Sequence, residues 1–122
     1  MLKLKCAVVG AGWWSTFAHL PALQKHENAE VIALTKRSQE AAEKVARDFS
    51  VPQACTSMEQ VLELKPDLVV IGSTPNVHYE QAKAALNQGL HVLIEKPMTL
   101  KANEARDLVE LAREKQLHFT IS

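Results

Sequence analysis

Short, largely apolar runs alternate along this chain with stretches whose apolar residues recur at helical spacing. Leu4 to Val9, Val31-Ile32-Ala33-Leu34, Leu68-Val69-Val70-Ile71 and His91-Val92-Leu93-Ile94 are too short for helices and lack the polar alternation of a half-exposed strand. Strands of that kind belong to parallel sheets covered on both faces. No hairpin signature joins consecutive runs. The alternation therefore predicts an α/β fold, a doubly wound parallel sheet (Rossmann fold) of about six strands, with right-handed crossover helices on both faces.

The segments between the strands carry their own signals. A stretch from Trp13 to His26 places Phe17, Leu20 and Leu23 on one side, and Pro21 inside it is expected to bend it. Ser38 is positioned to cap a helix with the stripe Ala42, Val45, Ala46 and Phe49, which Val51-Pro52 ends. Gln53 to Thr56 reads as a short third strand, and Ser57 with Gln60 is a capping-box pattern for a helix ending near Lys65-Pro66. Asn76 to Gln88 reads as a helix closed by Gly89, which suits the left-handed position after a helix. Ala105, Leu108, Val109 and Ala112 mark the last helix, and Leu117 to Ile121 a sixth strand.

With 122 residues the chain has room for one domain, expected over 1–122, whose core needs no disulfide or metal staple. Fourteen Lys and Arg balance fourteen Asp and Glu, which argues against a nucleic-acid partner held by bulk charge. No apolar run approaches the roughly 18 residues of a membrane span, so no membrane partner is expected. Met1-Leu2-Lys3-Leu4-Lys5 lacks the pattern of a secretory leader, and a cytoplasmic location is the expectation. Cys6 and Cys55 have no Cys-x-x-Cys spacing and no paired histidines, so they read as reduced, buried thiols with no metal site.

The first strand runs directly into Gly10-Ala11-Gly12-Trp13-Trp14-Ser15, where a helix opens. In a dinucleotide site the first glycine permits the tight turn and the second lets the backbone approach a pyrophosphate. Ser15 stands where a third glycine is usual; it is small enough for close helix–strand packing, and its hydroxyl can also donate to a phosphate. Trp13 and Trp14 either join the cofactor site, cover the helix start or form part of an interface.

Further candidates lie at later strand ends. The second strand ends in Thr35-Lys36-Arg37-Ser38, where an NAD site expects a carboxylate for the ribose hydroxyls. Two cations and a hydroxyl suit a 2′-phosphate, so NADP is favoured over NAD; the competing reading is a pair of solvated charges at a helix start. Ser73-Thr74-Pro75-Asn76 follows the strongest strand and offers ribose or nicotinamide contacts, or else helix capping by Thr74 or Asn76. His78 follows in the first turn of a helix, which favours a hydrogen-bonding role over proton transfer. Glu95-Lys96-Pro97 follows the fifth strand and places a lysine where it can reach the nicotinamide ribose and a substrate hydroxyl.

Gly10-Ala11-Gly12 followed by His19 and Pro21-Ala22-Leu23, then Ser73-Thr74-Pro75-Asn76-Val77-His78, then Glu95-Lys96-Pro97 and a helix with Glu104-Ala105, together resemble the N-terminal domain of the Gfo/Idh/MocA oxidoreductases. The resemblance covers essentially the whole chain. It implies an NAD(P)-dependent enzyme acting by hydride transfer on a sugar, polyol or related carbonyl or alcohol. It maps the glycine-loop role onto Gly10 and Gly12 and the catalytic lysine onto Lys96. Two positions depart from the pattern, Ser15 for the third glycine and Lys36 for the acid of NAD-using members. The family's second domain, which supplies most substrate contacts and the oligomer interface, is expected to be absent from this chain. Alone, the chain is then expected to bind cofactor without turnover, and homo-oligomerisation is expected only with that domain. The alternative is a non-catalytic NAD(P)-sensing module that acts through a protein partner, with Trp13 and Trp14 or the edge of the last strand at the contact.

Overall fold

The computed structural model describes residues 3–122, so the leader reading at Met1 and Leu2 lies outside it. Among the described residues, six strands form one parallel sheet: β1 (Leu4–Val9), β2 (Ala29–Thr35), β3 (Gln53–Cys55), β4 (Leu68–Ile71), β5 (His91–Ile94) and β6 (Phe119–Ile121). Five α-helices accompany them: α1 (Leu20–Lys25), α2 (Gln39–Phe49), α3 (Met58–Glu63), α4 (His78–Asn87) and α5 (Ala102–Glu114). The strand order is β3-β2-β1-β4-β5-β6. This is the doubly wound order, in which the chain reverses its direction of travel between β1 and β4.

Both faces of the sheet are covered, as the unbroken apolar runs require. Val8, Val31, Leu34 and Val70 pack with Leu20 of α1 and with Ala42 and Ala46 of α2. Ala7, Val9, Val69, Ile71, Val92 and Ile94 pack on the other face with Val61, Leu86 and Leu108 of α3, α4 and α5. Successive residues of β1 and β4 thus serve opposite cores, the period of two inherent in a strand. A register shift pairs Cys6 with Val31 but Ala7 with Ala33. The shift explains how Val31 and Leu34, three apart, reach the same core.

Local signals set most helix boundaries. The Ser38 hydroxyl accepts from Ala41 N–H at 3.2 Å and the Ser57 hydroxyl from Gln60 N–H at 3.3 Å. Gln60 Oε1 accepts from Thr56 N–H at 2.7 Å, one residue before the usual capping-box partner. Ser50, with φ of 57°, and Gly89, with φ of 83°, take the left-handed positions that end α2 and α4. Trp13 to Lys25 is helical throughout, as expected, with a π-helical turn, Ser15–His19, between Trp13-Trp14 and α1; the missing N–H of Pro21 falls just after that turn. A 3₁₀ turn, Pro75–Val77, likewise precedes α4. Among the described residues no helix is long and apolar enough to cross a membrane.

Both cysteines are buried and unpaired, and burial raises both thiols above their ordinary value. We expect neither Cys6 nor Cys55 to react with a thiol-specific reagent at pH 8 in the native chain, and both to react in denaturant. Rapid labelling in the folded state would contradict this packing.

Candidate functional site

The carboxyl ends of the strands continue the sheet's ladder beyond the strands themselves. Ala11 N–H donates to Thr35 O at 2.8 Å, Gly72 N–H to Val9 O at 2.8 Å and Glu95 N–H to Ile71 O at 2.9 Å. The glycine loop and the segments after β2, β4 and β5 are thereby drawn into one edge. Along that edge lies a cleft of about 670 Å³, within the range of small-ligand sites. Gly10, Gly12, Thr35, Lys36, Arg37 and Ser38 line one side of it; Ser73, Thr74, Pro75 and Asn76 line the other.

The loop is held by tight backbone packing. Gly10 has φ of 84°, and a Cβ there would lie 2.6 Å from Ser73 N. Gly10 N–H donates to Thr35 Oγ1 at 2.9 Å. The Ser15 hydroxyl, 1% exposed, donates to Gly10 O at 3.0 Å and occupies the space that a side chain at Gly72 would need. Ser15 thus sits beneath the loop with its hydroxyl engaged there, in the close-packing role of a third glycine. Gly12 differs, because a Cβ there would meet nothing within 4 Å and its backbone lines the open cleft. A pyrophosphate needs such a bare stretch of backbone.

At the β2 end, Lys36 Nζ donates to Ala11 O at 3.3 Å, which draws the ammonium over the loop. Arg37 and Ser38 are exposed beside it. The Ser38 oxygen caps α2 while its proton remains available to a further acceptor. On the opposite wall, the Ser73 hydroxyl donates to Gln81 Oε1 at 2.5 Å and the Thr74 hydroxyl to Asn76 Oδ1 at 2.6 Å. Thr74 makes no capping bond to the turn that follows it. The donor set fits a nucleotide whose charged end lies at Lys36 and Arg37 and whose pyrophosphate crosses Gly12.

Val77, within the Ser73–His78 motif, also lines the cleft, as do Ala41, Thr56 and Gln81, which motif reasoning did not select. Gln81 had a usable signal, since it lies three residues after His78 and shares a helix face with it. Thr56 had none, because its place depends on β3 pairing beside β2.

Several candidates lie outside the cleft lining. His78 is fully buried, with Nε2 2.8 Å from Ser73 O and Nδ1 2.9 Å from Pro97 O. It ties the β4 and β5 end segments together behind the cleft wall. Glu95 Oε1 accepts from Trp14 Nε1–H at 2.8 Å and from His19 Nε2–H at 2.7 Å. Lys96 and Pro97 follow it, exposed. Trp13 is 75% exposed, and its ring stacks on Phe17 with centroids 5.5 Å apart. Burial raises the Glu95 carboxyl, but the His19, Trp14 and Ser122 donors outweigh it and hold the group below the ordinary carboxylate value.

Comparison with known proteins agrees with this geometry. The Gfo/Idh/MocA family model, described as an oxidoreductase family with an NAD-binding Rossmann fold, matches residues 4–122. An uncharacterised oxidoreductase of Schizosaccharomyces pombe is 40% identical over 124 residues, covering 99% of this chain and 34% of that protein. The D-glucoside 3-dehydrogenase of Escherichia coli is 32% identical over 116 residues, covering 90% and 32%. A 3-ketoreductase from Actinomadura kijaniata, crystallised with NADP and TDP-benzene, superposes with a TM-score of 0.92 at 28% identity, covering 98% and 37%. The chain thus spans about a third of the length of the curated relatives it matches.

Glu95 yields a pH prediction. A carboxylate whose folded value is lowered contributes stability above its unfolded value and loses it as pH falls through the folded one. Glu95→Ala should therefore lower stability by about 1–2 kcal/mol at pH 7. That difference should shrink steadily as pH falls below 4.5, the carboxyl's ordinary value. Urea denaturation of both chains across pH 3 to 7 measures it, and a constant difference would refute the assignment.

Proposed function

The chain belongs to the Gfo/Idh/MocA oxidoreductase family as its NAD(P)-binding Rossmann domain, and from that membership we propose that it is the cofactor half of an NADP-dependent enzyme acting on a sugar, polyol or related carbonyl or alcohol. The observation that carries the NADP preference is the edge of the cleft where Lys36, Arg37 and Ser38 stand together with no carboxylate among them. A 2′-phosphate there meets a guanidinium suited to bidentate contact, an ammonium and a hydroxyl. Gly12 presents bare backbone to the pyrophosphate, with Gly10, Thr35 and Ser15 holding the loop's shape. The substrate class draws on relatives, among them the D-glucoside 3-dehydrogenase, and on no residue of this chain.

When bound, the nicotinamide supplies hydride exchange with a carbon of the substrate. The chain's own part is to hold the cofactor, orient it and handle the proton. Thr74 and Pro75 border the nicotinamide end of the cleft, and Lys96 Nζ is the group that exchanges the proton with the substrate oxygen. His78 keeps the Ser73 and Pro97 segments at a fixed separation, so that Lys96 stands at a constant distance from the cleft. Substrate positioning and exclusion of water need surfaces beyond these residues, and the chain alone should bind cofactor without turnover. A second reading, a non-catalytic NAD(P) sensor acting through a protein partner, draws on the exposed Trp13–Phe17 stack. In a protein that carries a substrate domain, Lys96→Ala would abolish turnover under the first reading and leave sensing intact under the second.

Three substitutions test the site in the chain itself. Gly12→Ala has room for its methyl group, so the thermal midpoint should hold within about 2 °C while NADPH affinity falls about tenfold or more. Gly10→Ala, by contrast, should lower the midpoint, because its Cβ meets the Ser73 backbone. Lys36→Asp should move the NADPH-to-NADH affinity ratio toward NADH by about tenfold. Fluorescence titration with both cofactors reads that ratio, and one equal to the unaltered chain's would refute the specificity assignment.

A further inference from the structure

We propose that the indole of Trp14 is the seat on which the nicotinamide ring stacks, and that Glu95 is the positioning residue that holds the indole there. The inference rests on the cofactor reading above and extends it from the Thr74 and Pro75 border of the cleft to the nicotinamide ring itself, for which the cleft lining offers no aromatic face.

The argument starts from the order of strands. Trp14 follows β1, Glu95 follows β5, and β4 lies between those two strands in the sheet. The hydrogen bond from Trp14 Nε1–H to Glu95 Oε1, 2.8 Å long, therefore spans the carboxyl end of β4. That span borders the point between β1 and β4 where the chain reverses direction, the place where open α/β sheets bind their ligands. Followed along the same edge, the groups succeed one another in a fixed sequence: the Lys36 and Arg37 cations after β2, bare Gly12 after β1, the indole over the β4 end, and Lys96 after β5. An extended dinucleotide laid along that edge, with its phosphates at the cations and at Gly12, brings its second base to the indole. Lys96 then lies beside the same base.

The chemistry of the indole suits that base. Trp14 is 45% exposed, and its aromatic neighbours Trp13 and Phe17 meet it tilted, at 44° and 36°, so neither is stacked flat on it. The one polar atom of the ring is satisfied by Glu95, so a planar ligand can cover the ring without stranding a donor. Oxidised nicotinamide is a planar cation, and a tryptophan face is the best aromatic partner for one. Glu95 also accepts from His19 Nε2–H at 2.7 Å, so the carboxylate that orients the indole is itself held from the helical segment after the loop.

The test compares two ligands on the folded chain: NADP⁺, and adenosine 2′,5′-bisphosphate, which has the 2′-phosphate but no nicotinamide. Trp14→Ala should weaken NADP⁺ about tenfold while leaving the bisphosphate within about twofold, and Trp14→Phe should restore most of the loss. Glu95→Ala should weaken NADP⁺ alone, and Glu95→Gln should recover it, because an amide oxygen still accepts the indole N–H. NADP⁺ should quench the tryptophan emission of Trp13→Phe strongly and that of Trp14→Phe weakly. Equal weakening of both ligands by Trp14→Ala would show damage to the loop and overturn the proposal, as would unchanged NADP⁺ affinity. If the unaltered chain binds the bisphosphate but gains nothing from the nicotinamide half, the seat is refuted while the cofactor site stands. If it binds neither ligand, both readings fall.

Discussion

The manner in which β1 ends governs the rest of the site. Its two neighbours in the sheet, β2 and β4, are approached from opposite sides of the fold, so the connections part at its carboxyl end and leave a crevice there. The crevice is narrow because backbone meets backbone across it. Gly10 turns with a positive φ directly against Ser73, and Gly72 lies against the Ser15 side chain. A Cβ at Gly10 would meet the Ser73 main chain, and one at Gly72 would displace the Ser15 hydroxyl from beneath the loop. The site is therefore a consequence of close packing, and its polar groups are arranged around a contact that is almost wholly main chain.

A second layer of organisation joins elements remote in sequence. Glu95 ties the end of β5 to Trp14 and His19, and His78 ties the end of β4 to Pro97. Each tie carries one strand-end segment relative to another, so the spacing between the glycine loop and Lys96 is set by side-chain hydrogen bonds as well as by the sheet. Such bonds to partly or fully buried groups weigh more than exposed ones, because breaking them strands a polar atom away from water. The exposed pair Lys44 and Asp48, by contrast, is an ordinary helix-surface contact with little bearing on the fold.

Much of this was legible along the chain because the signals are local. The apolar run of β5 coincides with its observed bounds, and Ser38, Ser57 and Gly89 mark helix ends through bonds or dihedral angles that involve only near neighbours. The cleft residues after β1, β2 and β4 were legible for a related reason: in a parallel sheet every carboxyl end faces the same edge, so knowing the strands is enough to know which loops gather. Where local signals were silent, long-range packing decided the detail. The helix from Trp13 to Lys25 carries a π-helical turn at Ser15–His19 that no local pattern marks, and His78 turns inward between two carbonyl groups.

By itself the sequence determined the order of elements, the parallel sheet, and the set of loops that meet at one edge, because each of these follows from periodicity and capping within a few residues. Only the tertiary structure decided which side chains face the cleft and which support it from behind. Ser15, readable either as a close-packing residue or as a phosphate donor, packs beneath the loop, and His78 ties two strand-end segments by hydrogen bonds; Gln81 and Thr56 carry no motif and line the cleft. The bond from Trp14 to Glu95 joins residues 81 positions apart, and no local pattern encodes it. Its existence depends on β4 lying between β1 and β5, a fact of strand order that arises only when the whole sheet has formed.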